Sequence, residues 1–410
     1  MKRGQLEASV LTLVTLGLVA FGLVMVYSAT SASAALANGD PGYYLKRQTV
    51  YALLGLVLMV VVSRLDYRVL RRLAPPLVVT GVVLLLAVLV LGQSVNGARR
   101  WLTAGPVVFQ PSELAKLALA VWAASYLSRR RPPQTLAELW RPIGLLATVV
   151  CALLLAEPDL GTAITILLML AAVLLVAGAP ARTLGAGLSL AAGVSLLAVW
   201  FEPYRRARLF SFVNPWHDAQ GAGYQTVQAI IGLGSGGIFG RGLGQSIEKA
   251  NFLPEAHTDM IFAIIGEELG LVGATALIAA YAAFAYFGFR IALGCKDPFG
   301  KRLAAGLTVL VCGQAAINLA AVMGLAPLTG IPLPFVSYGG SSLVVALVSV
   351  GILLNIAGNA GAKRASVPDR SRGDSRPRAA RARSGGGAQR PRRAGDVRRV
   401  AGSRRGAARS

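Results

Sequence analysis

The chain has 410 residues, of which 55% are hydrophobic and only 14% charged, against about 25% charged in an ordinary soluble protein. With a mean hydropathy of +0.60, this excludes a soluble multidomain enzyme and points to a polytopic membrane protein, since only lipid leaves so much apolar surface free of water-facing groups. The net charge of +23 is uneven: residues 363–410 hold 16 Lys/Arg and 3 Asp and so carry +13, leaving +10 on residues 1–362.

Apolar runs long enough to cross a bilayer recur about ten times, near 8–30, 48–63, 75–91, 110–128, 142–157, 160–178, 184–200, 258–289, 303–323 and 339–360. The first follows Lys2 and Arg3, as a signal peptide would, but its run from Val10 to Tyr27 is 18 residues long. A cleaved signal core has about 7–15, so a retained span is expected. The eighth is long enough to tilt or to extend beyond the lipid. Lys2 and Arg3, Arg64 to Arg72, Arg129 to Arg131 with Arg141, Arg182, Arg290 to Arg302 and the basic tail all fall on one side of a ten-span chain. The positive-inside rule makes that side, and both termini, cytoplasmic. The other side still carries Lys46, Arg47, Arg99, Arg100, Arg205, Arg206, Arg208, Arg241 and Lys249. These are either loop charges paired with acids or groups that bind an anion.

The outward connections hold the polar motifs. Residues 96–101 read NGARRW before span four, which opens with QPSELAK. Glu113 and Lys116 stand at i,i+3 on one helical face and can pair. Glu157 to Thr162 (EPDLGT) form a tight turn between spans five and six. Residues 201–257 make the largest connection, with glycine at 232, 234, 236, 237, 240, 242 and 244. So much glycine is either an ordinary turn-rich loop or lets the backbone approach another surface closely; no Gly-Lys-Ser/Thr follows, which excludes a nucleotide P-loop. Leu253 to Asp259 (LPEAHTD) run straight into an apolar helix. There Thr258 or Asp259 can cap the helix, or Asp259 can serve as a general base at the membrane face. Glu267 and Glu268 lie roughly 12–13 Å deeper by the helical rise and are turned away from Asp259; as intramembrane acids they need partners. Residues 327–342 (PLTGIPLPFVSYGGSS) are too rich in Pro and Gly for a continuous helix and should line a cavity.

Cys151, Cys295 and Cys312 show no metal or disulfide spacing, and two histidines do not build a multi-His centre. The segment 363–410, rich in Arg, Gly, Ser, Pro and Ala, is expected to be disordered and to lie on anionic lipid headgroups. A nucleic-acid partner is not expected, because no nucleic-acid fold stands beside the tail.

In their order along residues 8–360, the motifs NGARRW, FQPSELAK, EPDLGT, GYQ with GSGGIFGRGLGQS, LPEAHTDMIFAIIGEELG and PLPFVSYGGSS resemble the SEDS family of bacterial shape, elongation, division and sporulation proteins. The segment from Asp40 to Gln48, Gly223-Tyr224-Gln225, and Gln245-Ser246 with Lys249 look more like the division branch than the elongation branch. Met260 stands where Phe is usual after the Asp. The resemblance implies an all-α, ten-span bundle over residues 1–362, with a large outer connection at 201–257 between spans seven and eight. It implies a peptidoglycan glycosyltransferase that polymerises lipid II, partnered by a class B penicillin-binding protein and other divisome proteins at the septal cell membrane. The family's essential Asp matches Asp259, the Glu and Lys of its fourth span match Glu113 and Lys116, and the acid of its EPDLG turn matches Asp159. Arg100, Arg205 and Arg208 are expected to hold pyrophosphate, and His257 and Ser337 to contact substrate. A divalent cation (Mg or Mn) bridging carboxylate and pyrophosphate is compatible with this chemistry, although no ligand set specifies one. The alternatives are a lipid II flippase, kept open by Glu267 and Glu268, a scaffold for a partner synthase, and an elongation-type polymerase.

Overall fold

In lipid, each backbone N–H and C=O must be satisfied within its own segment, so the apolar runs become helices. The computed structural model describes residues 3–36, 40, 42–95, 98–105, 107–201, 203–249 and 253–365. The first three helices are α1 (Arg3–Leu36), α2 (Tyr43–Arg64) and α3 (Leu70–Leu91), and α4 is Pro111–Ser128. The short α5 (Leu136–Leu139) continues through Trp140–Gly144 into α6 (Leu145–Ala156). Then come α7 (Leu160–Ala177), α8 (Ala181–Trp200), α9 (Pro203–Val213), α10 (Tyr224–Ser235), α11 (Ile261–Gly294), α12 (Pro298–Val322) and α13 (Gly340–Ala365).

Among the described residues, eight helices are long and apolar enough to cross a membrane. The helices α4, which carries Glu113 and Lys116, and α8, whose apolar stretch is short, stand where the fourth and seventh spans were expected. The protein is therefore a multi-pass, almost wholly helical membrane protein. The helix α12 packs against α4, α7, α11 and α13, and α13 also lies along α1 and α2. The spans α2 and α3 turn most of their surface outward. Lipid tails are as apolar as Leu, so close van der Waals fit holds such helices together. At Gly351 a Cβ would stand 2.6 Å from the Met59 carbonyl oxygen of α2, so glycine sets that approach.

Three features depart from the sequence reading. A small antiparallel sheet, β1 (Gln93–Val95), β2 (Ala98–Ala104) and β3 (Val107–Phe109), caps the end of α3. The short, polar connection there left too little apolar pattern to signal strands. Second, much of the connection after span seven is folded into α9, a turn at Pro215–Asp218 and α10. Third, α11 is not one continuous long helix: Gly270 breaks it with φ +65° and ψ −162°.

The strip 236–249 folds back onto that break. Arg241 N–H donates to the Glu267 carbonyl (3.0 Å) and Gly242 N–H to that of Glu268 (3.0 Å). In return the Leu271 and Val272 N–H groups donate to the carbonyls of Gly237 (2.9 Å) and Ile238 (3.1 Å). The interrupted ladder is thus re-satisfied by the strip, as burial in a membrane protein requires. A Cβ on Gly240 would stand 2.2 Å from the Glu268 carbonyl oxygen, so the glycines serve close approach. The tail expected to be disordered lies outside the described residues beyond Ala365.

Candidate active site

The segment between α12 and α13 has no regular secondary structure, and its buried backbone groups are met by side chains from three helices. From α12, Gln314 Nε2 donates to the Pro332 carbonyl (2.9 Å) and Asn318 Nδ2 to that of Ile331 (2.9 Å). From α2, Gln48 donates to the Ser337 carbonyl (3.1 Å) and accepts from Gly339 N–H (3.3 Å). From α11, the Tyr281 hydroxyl donates to the Pro334 carbonyl. The segment is thereby fixed without being helical, and Gly330, at φ +69°, places its turn beside Asp259.

Asp259 sits in the turn ahead of α11 and is half-buried. Met260 occupies the N-cap position, and no side chain caps the helix, so the capping role open to Thr258 or Asp259 is not taken. Asp259 Oδ1 accepts from the Thr258 hydroxyl (3.3 Å), and the Asp259 carbonyl accepts from Asn318 Nδ2 (2.7 Å). Burial, and then the charge of Glu255, push the carboxyl up to about 6; Arg208 and the Thr258 hydroxyl act in the other direction. It is therefore mostly ionised at neutral pH while retaining useful basicity.

Arg100 arrives on β2. Its Nε donates to the Glu157 carbonyl (3.0 Å) and one terminal nitrogen to the Pro158 carbonyl, so the guanidinium pins the turn between α6 and α7. Its other terminal nitrogen faces the Gly330 turn. That nitrogen lies 3.8 Å, and Asp259 Oδ2 lies 3.9 Å, from the point where a Gly330 Cβ would stand. A carboxylate and a guanidinium thus converge over a residue that has no side chain to fill the gap. Arg208, on α9, donates to the Leu328 carbonyl (3.4 Å) and adds a second positive charge close to Asp259.

The other expected residues occupy supporting places. Lys116 donates to Glu113 Oε1 (3.0 Å) and to Gln314 Oε1 (2.7 Å), and both members of the ion pair are buried. The pair does not bond Asp259; it reaches the site through α12. Asp159 caps α7, its two oxygens accepting from Thr162 N–H (3.0 Å) and hydroxyl (2.7 Å). His257 packs its ring at 4.5 Å from Tyr44 and 5.6 Å from Tyr338, and burial lowers its basicity. Ser337 accepts from Leu333 N–H (2.8 Å), stapling its own turn. The Arg205 side chain lies outside the described residues.

Glu267 and Glu268, read from sequence as deep acids in need of partners, find them in the returning strip. Glu267 accepts from the Ser246 hydroxyl and from Ile247 N–H (3.0 Å), and Glu268 pairs with Lys249 (3.0 Å) and Ser28 (2.7 Å). Lys249, expected among the outer loop cations, is buried in that pair. The sequence reading passed over Gln314 and Asn318, and took Glu157 only as the start of a tight turn. The two amides stand four apart within an apolar span, which is a readable signal of one polar stripe. Glu157 is fully buried with neither carboxylate oxygen hydrogen-bonded among the described residues, and burial, with the charge of Asp159, raises it to about 8.

Residues 8–361 match the cell cycle protein family that groups FtsW, RodA and SpoVE. The chain belongs to this family. Among the similar SEDS proteins, the probable peptidoglycan glycosyltransferase FtsW of Geobacter sulfurreducens is 42% identical over 350 residues, covering 85% of this chain and 94% of that one. The protein of the same name from Halomonas elongata is 41% identical, covering 84% and 89%. Of solved structures, a chain of a peptidoglycan synthase complex that coordinates polymerization and crosslinking superposes with a TM-score of 0.72 at 34% identity, covering 85% and 97%. The rod shape determining protein RodA of Thermus thermophilus gives 0.63 at 33%, covering 85% and 96%. The SEDS bundle expected from the motifs is thus the fold of this chain.

Proposed function

We propose that this protein polymerises lipid II into glycan strands during septal cell-wall synthesis, with Asp259 as the general base. One observation carries the reading: the Asp259 carboxylate and the Arg100 guanidinium converge over Gly330 at one end of a membrane bundle. A donor with a polyprenyl tail keeps that tail in lipid while its sugars reach such an end.

An α-linked donor giving a β-1,4 product requires inversion, hence a single displacement. The acceptor's 4-hydroxyl attacks the donor's anomeric carbon, and the new C–O bond forms as the bond to pyrophosphate breaks. The hydroxyl proton passes to Asp259, and undecaprenyl pyrophosphate departs with the bonding electrons. A positioned base contributes typically 10²–10⁴-fold. Arg100 and Arg208 stabilise the departing anion, which guanidinium forks match in geometry. Among the described residues no three His, Cys, Asp or Glu side chains gather to hold a metal ion. The described residues thus build no such cluster, and no step is routed through a metal ion.

The bonds that Glu267 and Glu268 make to the strip 241–249 weigh against a translocation path along those acids. In this proposal the chain sits in the cell membrane with both termini cytoplasmic and works at the septum beside a class B penicillin-binding protein and other divisome proteins. A cross-linking partner is supported by one structural relative, a chain of a complex that coordinates polymerization and crosslinking.

The test is polymerisation of lipid II by the purified protein with its penicillin-binding partner, the transpeptidase being blocked. Wild type should yield polymer, and Asp259→Ala should lose at least about 100-fold in turnover with an unchanged melting temperature. Full polymer from Asp259→Ala would overturn the base assignment. None from wild type, with the complex intact, would overturn the activity.

A further inference from the structure

The buried ion pair on α4 and the carboxylate ahead of α11 do not touch, yet two amides on α12 join them. Gln314 accepts from Lys116 Nζ (2.7 Å) and donates to the Pro332 carbonyl (2.9 Å). One turn along, Asn318 donates through one nitrogen to both the Ile331 carbonyl (2.9 Å) and the Asp259 carbonyl (2.7 Å). Only the amide nitrogen can donate, so two carbonyl partners fix which way this amide faces. Both amides are buried, and Asn318 has spent both N–H groups on backbone. The two carbonyls belong to the residue bearing the base and to the neighbour of Gly330, over which Asp259 and Arg100 meet.

We infer that Asn318 is a positioning residue for glycosyl transfer: it clamps the backbone of Asp259 to the Gly330 turn, and Gln314 ties that clamp to the Glu113–Lys116 pair. The inference rests on Asp259 being the base. The clamp holds the carboxylate at a fixed height over Gly330, where the acceptor hydroxyl must arrive. Small displacements matter there, since about 1 Å of misplacement can cost on the order of 100-fold in rate. The ion pair thus acts on the site through α12 and the 331–332 backbone, without a bond of its own to the carboxylate.

This gives Asn318 a signature that bulk stability does not. Asn318→Ala keeps the carboxylate and both arginines, so substrate binding survives while alignment is lost. In the complex with its penicillin-binding partner, kcat for lipid II should fall about 10- to 100-fold with KM changed less than about 3-fold. A cycle of Asn318→Ala, Lys116→Ala and the double variant should be non-additive, the double losing far less than the product of the two single losses. Thermal melts of all three, and Leu319→Ala on the same helix as a packing control, separate folding from alignment. The inference is overturned if folded Asn318→Ala turns over like wild type, if its loss lies in KM, if the two losses multiply, or if Leu319→Ala shows the same kcat loss. Asp259→Ala run beside them separates the readings. Activity retained there removes the base, whereas activity lost there but kept in Asn318→Ala removes only the clamp.

Discussion

Two buried ion pairs of the same chemistry and the same 3.0 Å separation sit in this bundle and do different work. Glu113–Lys116 lies within one turn of α4, three residues apart. Glu268–Lys249 joins α11, beside its break, to the strip that folds back onto it, with Ser28 of α1 completing the triad. The first is a product of helical geometry alone and forms wherever that turn forms. The second exists only after α10, the glycine strip and the break at Gly270 have come together. The local pair is linked through Gln314 to the candidate site. The distant pair fastens the connection between spans seven and eight to α1 and α11.

The sharpest way to break the comparison is to remove the lysine from each. Lys249→Met and Lys116→Met each strand a buried carboxylate, so each should destabilise by about 3–5 kcal/mol, read as a lower melting temperature in detergent. The pairs then part company. The double change Lys249→Met with Glu268→Gln should recover most of the stability and, once folded, most of the polymerisation. Lys116→Met with Glu113→Gln should recover stability and leave turnover low, because the donor to Gln314 is gone. Equal recovery of activity in both would erase the functional distinction.

A smaller effect tests whether the strip needs its break. Gly270→Ala forces a side chain into a φ of +65°, with its Cβ 2.4 Å from the Gly240 backbone nitrogen. The cost should be about 1–3 kcal/mol. Proteolysis within 236–249 should accelerate in step; unchanged protection would show that the strip is held by its ion pair alone.

The smallest effect is on pH. As the proposed base Asp259 must be deprotonated, and its carboxyl is raised to about 6 by burial and by Glu255. The rate kcat/KM should therefore rise about tenfold from pH 5 to pH 7. Glu255→Gln should shift that limb to lower pH, because a neighbouring negative charge is removed. Neither Lys249 nor Lys116 bonds the carboxylate, so their variants should leave the limb in place; movement with Lys249→Met would couple the two regions.

Much of the architecture was legible in the chain. The eight helices long enough to span, together with α4 and α8, stand where the apolar runs are, because lipid leaves a backbone no partner but its own helix. The i,i+3 spacing announced Glu113–Lys116, whereas Asp159 was read only as the acid of its turn and the structure gives it the capping place on α7. What stayed hidden was every contact spanning many residues. Lys249 looked like one more loop cation, and α11 looked like a single long span. Nothing in the local pattern says that Gly240 will meet Glu268. Asn318 and Gln314 were passed over; their spacing of four marks a polar stripe, but their role appears only once the 331–332 carbonyls and Asp259 are beside them. The sequence by itself determined a membrane bundle, its spans, its family and the acid at the mouth of α11, because hydropathy and helical spacing are properties of neighbours in the chain. Only the tertiary structure decided that Asp259 faces Arg100 over Gly330, that α12 joins the ion pair to that site, and that the glycine strip returns into the bundle. Those depend on which buried polar groups find each other once water is unavailable to satisfy them.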